Sequence, residues 1–160
     1  MAYYNEILPG LFLGNIISAS YKPFLQKNNI KLIVNCAKEI PNFYKKDFVY
    51  LNVPIGDTDS YQDNKNLYNS LNYILSMIRL YHFYSGKNIL IHCAAGISRS
   101  SSVVAAYLIK YHKMEIDNSI TFIRTKRPIA FYYGTKVNFK RALKQLYIDT
   151  QNKSNRRITI

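Results

Sequence analysis

The run Lys87-Asn88-Ile89-Leu90-Ile91-His92-Cys93-Ala94-Ala95-Gly96-Ile97-Ser98-Arg99-Ser100-Ser101-Ser102-Val103-Val104-Ala105-Ala106-Tyr107-Leu108 decides the fold. It opens on a strand-like apolar run, residues 87–91, and closes on residues 101–108, which suit a helix. The residues between them form a loop that feeds a helix N-terminus, with Cys93 near its start. Such a loop aims several backbone N–H groups inward and adds the positive end of the helix dipole, which makes a cradle for an anion. The same field suits a phosphate group and a thiolate.

Five residues separate Cys93 from Arg99, enough for a loop to curl around one tetrahedral anion while the guanidinium returns to grip its oxygens. Cys93 then faces phosphorus as a nucleophile. His92, Ala94, Ala95, Gly96, Ile97 and Ser98 make the phosphate-binding loop, with Gly96 supplying a positive φ or a close backbone approach. Ser100 can offer its hydroxyl to the sulfur when water attacks a phosphocysteine and the thiolate departs. A small core residue is the alternative reading of an isolated cysteine, and the surrounding nonapeptide weighs against it.

Cleaving a phosphoester also requires a proton for the departing oxygen, because an alkoxide leaves poorly at neutral pH. The segment Gly56-Asp57-Thr58-Asp59-Ser60-Tyr61-Gln62-Asp63, which follows the strand-like residues 48–54, supplies three carboxylates. Read without that chemistry, the cluster is a solvated turn, with Asp63 as the N-cap of the next helix and Asp59 as surface charge.

The nonapeptide His92-Cys93-Ala94-Ala95-Gly96-Ile97-Ser98-Arg99-Ser100 resembles the signature of the cysteine-dependent protein phosphatases, specifically the dual-specificity phosphatase family. The likeness extends to Glu6-Ile7-Leu8-Pro9-Gly10-Leu11-Phe12-Leu13-Gly14-Asn15, to Ile33-Val34-Asn35-Cys36 and to Val53-Pro54-Ile55-Gly56-Asp57, and covers roughly residues 5–147. It implies catalysis by Cys93, Arg99 and Ser100 without a cofactor, acting on phosphorylated proteins, and it places the general acid at Asp57, with Asp59 as the local alternative. The chain departs from the family near its end. Lys140-Arg141-Ala142-Leu143-Lys144-Gln145-Leu146-Tyr147 is similar to the last helix, but the Pro-Asn pair that usually precedes it is missing and residues 128–137 are longer and aromatic. Phe131, Tyr132 and Tyr133 there read either as a wall of the substrate cleft or a dimer contact, or as a packing cluster under a loop.

Outward from the signature, short β-like runs alternate with helix-like ones, the pattern of an α/β domain whose central, mainly parallel five-stranded sheet is covered on both faces. Strands are expected near 5–8, 11–13, 31–35, 48–53 and 88–92, and helices near 18–28, 64–83, 99–112, 116–126 and 136–147. In the long helix Leu67, Leu71, Ile74, Leu75, Ile78 and Leu80 recur at helical spacing as a core-facing stripe. One catalytic domain is expected over residues 1–148, followed by a basic flexible tail over 149–160.

No stretch approaches the roughly 20 apolar residues that cross a bilayer, and the first residues lack the pattern of a secretory signal. The expectation is a cytoplasmic protein, with the nucleus left open. Two cysteines, Cys36 and Cys93, make no disulfide framework and leave a zinc site short of ligands, so no metal is expected. Cys36, at the end of a strand-like run, reads as a core residue or as a redox partner that resolves a sulfenic acid on Cys93 into a disulfide.

Lys and Arg total 22 against 9 Asp and Glu, a formal charge of +13 that draws anionic partners. Phosphoproteins, RNA and anionic lipid all fit that field, and an AT-rich coding sequence would produce a similar excess of lysine. Ala94, Ala95 and Ile97 bring no lysine into the loop, unlike relatives that act on inositol phospholipids. Relatives that act on RNA 5′ ends usually close the loop with Arg-Thr-Gly. An RNA 5′-phosphatase and a non-catalytic phosphoprotein-binding module remain the alternatives, nucleic acid being the less favoured partner. A short chain has little room for the recognition loop of tyrosine-specific cousins, and a shallow cleft admits phosphotyrosine and phosphoserine or phosphothreonine alike.

Overall fold

The computed structural model describes residues 2–132 and 139–158, with side chains to residue 154. Strands β1 (Tyr4–Leu8), β2 (Leu11–Gly14), β3 (Ile30–Asn35), β4 (Val49–Asn52) and β5 (Asn88–His92) form one sheet of order β1-β2-β5-β3-β4. Among the described residues only β1, on the edge beside β2, runs antiparallel to its neighbour, and the remaining pairs are parallel. The expected five-stranded, mainly parallel α/β architecture is therefore present.

Side chains alternate across a strand, so a sheet covered on both faces needs apolar residues at every position of its inner strands. Leu11, Leu13, Leu32, Val34, Ile89 and Ile91 point into the larger core, whereas Phe12, Ile33 and Leu90 point into a smaller one on the opposite face. The larger core lies under α3 (Tyr61–Arg79), α4 (Arg99–Tyr111), α5 (Ile116–Lys126) and α6 (Lys140–Ile158). Helix α4 meets the other three helices and the sheet, which is why every residue from Arg99 to Ile109 is buried. The smaller core is closed by α1 (Ile16–Ser20) and α2 (Lys22–Lys27), through Ala19, Phe24 and Leu25.

Several boundaries differ from expectation for local reasons. The helix expected over 18–28 is broken at Tyr21, because Pro23 at the start of α2 lacks an N–H and its ring would collide with the preceding turn. Helix α3 begins earlier than expected, and its N-cap is Ser60, whose hydroxyl accepts the Asp63 N–H, so Asp63 is not the cap. After Arg79 the chain widens into a π-helical turn, Leu80–Tyr84, which leaves Leu80 exposed rather than in the core stripe.

The expected flexible tail is corrected as well. Helix α6 does not stop near Tyr147 but runs to Ile158, and the Tyr68 hydroxyl of α3 donates to Asp149 at 2.5 Å. Polar composition made this segment read as solvated chain, yet one side of the helix docks against α3. Residues 136–138 of the expected last helix lie outside the described residues. Among the described residues no helix is long and apolar enough to cross a membrane.

Candidate active site

Strand β5 ends at His92 and α4 begins at Arg99, so the signature loop occupies the C-terminal edge of the parallel strands, where α/β sheets bind ligands. Every carbonyl from Ala94 to Ser98 is tied to the surroundings. Ala94 O accepts from Ile16 N at 3.0 Å, Ile97 O from Phe131 N at 2.8 Å, and Ser98 O from Ser102 N at 2.9 Å. Ala95 O and Gly96 O accept from Arg127, through Nη2 at 3.2 Å and Nε at 2.9 Å. With its carbonyls turned outward, the loop presents N–H groups inward, and Gly96 N–H points at Cys93 Sγ from 3.3 Å.

Gly96 is required twice over. Its φ is +68°, and a Cβ there would stand 2.7 Å from both Gly14 O and Arg127 Nη2. Cys93 is buried, with Ser100 Oγ 3.0 Å from its sulfur. These contacts bring Cys93, Gly96 and Ser100 together at one end of the loop.

The Arg99 side chain is 2% exposed and is oriented from its far end. Glu39 receives Nη1 at 2.8 Å and Nη2 at 2.5 Å in a bidentate pair, and Ile55 O receives Nη1 at 3.1 Å. Nε has no hydrogen-bond partner among the described residues, and Asp57 Oδ1 lies 3.8 Å away. Burial would lower the Arg99 pKa, but the Glu39 hydrogen bonds and the charges of Cys93, Glu39 and Asp57 outweigh it and raise the value. Glu39 in turn is held below the usual carboxylate range by its hydrogen bonds from Arg99. Its loop is fixed by Asn35, whose amide donates to Ile40 O at 2.8 Å and accepts the Ala37 N–H at 3.0 Å.

The three candidate acids separate by geometry. Asp57 faces Arg99 with a side chain 54% exposed. Asp59 accepts from Asn64 Nδ2 at 3.4 Å, and Asp63 accepts from Gly56 N and from the Thr58 hydroxyl, so both are engaged around the start of α3.

His92 is buried, which lowers its pKa from the usual 6.5 to about 4 and keeps the imidazole neutral. Cys36 is fully buried and donates its N–H to His92 O at 2.8 Å, extending the β3–β5 pairing to the edge of the loop. Burial first, and the charge of Cys93 second, push its thiol well above the usual range, and both cysteines are free thiols.

Phe131 is corrected as a cleft residue: its ring belongs to the larger core at 5% exposure, and its N–H anchors Ile97 O. Tyr132 is 66% exposed, and Tyr133 lies outside the described residues. No group of His, Cys, Asp and Glu among the described residues is arranged to hold a metal.

Sequence reasoning missed Glu39 and Arg127. Glu39 carried one available signal, being among only 9 acids in a chain of charge +13 and lying just after a strand end. Arg127 carried none that set it apart from the other basic residues, since its burial and its partners in the loop, Ala2 O and Asn5 Oδ1 come from the folded chain.

The family model described as dual specificity phosphatase, catalytic domain, matches residues 11–149. Human dual specificity protein phosphatase 21 is 36% identical over 126 residues, covering 79% of this chain. Human dual specificity protein phosphatase 18 is 33% identical over 125 residues, covering 78% of this chain. Among solved structures, human DUSP28 aligns with a TM-score of 0.82 at 22% identity, covering 94% of this chain and 97% of that one, a likeness of fold. A mouse putative dual specificity phosphatase complexed with zinc tungstate aligns with a TM-score of 0.82 at 25% identity, covering 95% of this chain and 91% of its own. The match spans 64% of the length of each of the two human curated relatives.

Proposed function

The chain belongs to the dual specificity phosphatase family, and from that membership we propose that it is a cysteine-dependent protein phosphatase acting on phosphotyrosine and phosphoserine or phosphothreonine through a phosphocysteine intermediate. One observation carries this reading: Cys93 Sγ lies within reach of the Gly96 N–H and the Ser100 hydroxyl, at the base of a loop whose carbonyls are tied outward. Loop amides and the free edge of Arg99 bind the phosphoryl oxygens. Sγ attacks in line, the S–P bond forms as the P–O bond breaks, and Asp57 gives its proton to the leaving oxygen. Water then attacks phosphorus with Asp57 taking its proton, while the Ser100 hydroxyl stabilises the departing thiolate.

The loop residues Ala94, Ala95 and Ile97 favour a protein monophosphate over an inositol phospholipid, whose extra phosphates call for added cations. Phosphate release from phosphotyrosine and phosphothreonine peptides, with none from triphosphorylated RNA, supports the proposal. The reverse preference displaces it, and binding of phosphopeptide without turnover would favour a non-catalytic module. We further propose that Cys36 is a resolving thiol: peroxide converts the Cys93 thiolate to a sulfenic acid, and attack by the Cys36 thiol releases water and forms a disulfide. Peptide mapping after mild peroxide should find the Cys36–Cys93 link, whereas terminal oxidation of Cys93 alone contradicts this role.

A further inference from the structure

Asp57 makes no side-chain hydrogen bond among the described residues, and its contact with Arg99 Nε is 3.8 Å long. Its carboxyl is aimed by its backbone, and Asp63 holds both of its chain neighbours, Gly56 through the backbone and Thr58 through the side chain. Asp63 Oδ1 accepts the N–H of Gly56 at 3.2 Å, and Oδ2 accepts the hydroxyl of Thr58. Gly56 and Thr58 are the two chain neighbours of Asp57. Thr58 Oγ1 also accepts the N–H of Ser60 at 3.2 Å, while Ser60 Oγ accepts the N–H of Asp63 at 3.0 Å, closing the turn on the first turn of α3.

The glycine is matched to the staple. A Cβ at Gly56 would stand 2.9 Å from Asp63 Oδ2 and 3.2 Å from Oδ1, so a side chain there would push the carboxylate out. The anchor is firm, because α3 is seated by buried Leu67 and Leu71 and by Asn64. The Asn64 amide donates to Ser60 O at 3.0 Å and accepts the Ala142 N–H of α6 at 3.2 Å.

We propose that Asp63 is the positioning residue for the general acid, holding the Gly56 N–H on one side of Asp57 and the Thr58 hydroxyl on the other so that the Asp57 carboxyl stays over Arg99 and the leaving oxygen. This rests on the reading of Asp57 as the acid, and the experiment separates the two. Steady-state kinetics are measured on aryl phosphates graded by leaving-group acidity and on a phosphothreonine peptide, for wild type, Asp57→Ala, Asp63→Ala, Thr58→Val and the double variant Asp57→Ala/Asp63→Ala. A leaving group that departs unaided needs no proton, so Asp63→Ala should leave the most acidic phenol within about twofold and slow the phosphothreonine peptide about tenfold or more. Thr58→Val, which keeps both the Asp63 carboxylate and the Ser60 hydroxyl that caps α3, should shift the dependence the same way. The double variant should be no slower on the peptide than Asp57→Ala alone, because the staple acts through the acid.

Equal slowing of all substrates by Asp63→Ala, an unchanged leaving-group dependence in both Asp63→Ala and Thr58→Val, or additive losses in the double variant would each overturn the inference. A flat dependence in Asp57→Ala itself would remove the acid assignment and the staple's purpose with it.

Discussion

Arg99 serves two partners with one guanidinium. Of its five N–H donors, Glu39 and Ile55 O take those of the far end, leaving Nε–H and one Nη2–H side by side for two phosphate oxygens. Glu39→Gln keeps the shape but removes one charge and one strong acceptor. A hydrogen bond to a charged group is worth about 1.5–3 kcal/mol, so kcat/KM for an aryl phosphate should fall about tenfold to a hundredfold, and an unchanged value would contradict the orienting role. His92 gives a pH signature. Its folded pKa is depressed to about 4 from the usual 6.5, so between those values the unfolded chain holds the extra proton and stability rises with pH. As pH falls through that window the group costs about 3 kcal/mol of stability. Urea unfolding should show a shallower pH slope in His92→Gln, and an identical slope would show that His92 does not titrate in that window. At this scale Cys93, Arg99 and Ser100 were legible because their chemistry is local in the chain, whereas Arg99 and Glu39 pair across 60 residues that no local pattern bridges.

A strand, a loop and a helix N-terminus form an anion cradle only when the loop's carbonyls have somewhere else to go. Here they go to Ile16 at the start of α1, to Arg127 and Phe131 just after α5, and, for Ser98, to Ser102 of α4 itself. Arg127→Met should therefore strand the Ala95 and Gly96 carbonyls, lower stability by about 2–4 kcal/mol and weaken inhibition by vanadate about tenfold or more. Thermal denaturation together with vanadate titration checks this, and unaltered vanadate inhibition would show that the loop keeps its form without Arg127. The strand, loop and helix of the signature were legible from period and composition. The break at Tyr21 was legible in principle through Pro23, and the capping role of Ser60 through its place three residues before Asp63. The reach of α6 to Ile158 was not, since the contact that seats it, Tyr68 to Asp149, is a tertiary one.

At the scale of the molecule, the sheet with its two cores is a frame that brings four separate segments to one edge: the loop after β3 with Glu39, the loop after β4 with Asp57, the signature between β5 and α4, and Arg127 after α5. The alternation of short apolar β-like runs with helix-like ones made that frame legible, because a sheet covered on both faces leaves a nearly continuous apolar run in its inner strands. What was not legible is which charged residues the frame delivers to the edge, because charges at loop positions carry no period. The central claim is that this edge makes Cys93 a nucleophile toward phosphorus. Rapid quenching of an aryl phosphate turnover, followed by peptide mass spectrometry, tests it most directly. We predict a phosphoryl group on Cys93 in the wild type, and loss of both adduct and turnover in Cys93→Ser. Turnover with no phosphate on Cys93, or turnover surviving in Cys93→Ser, would contradict the account.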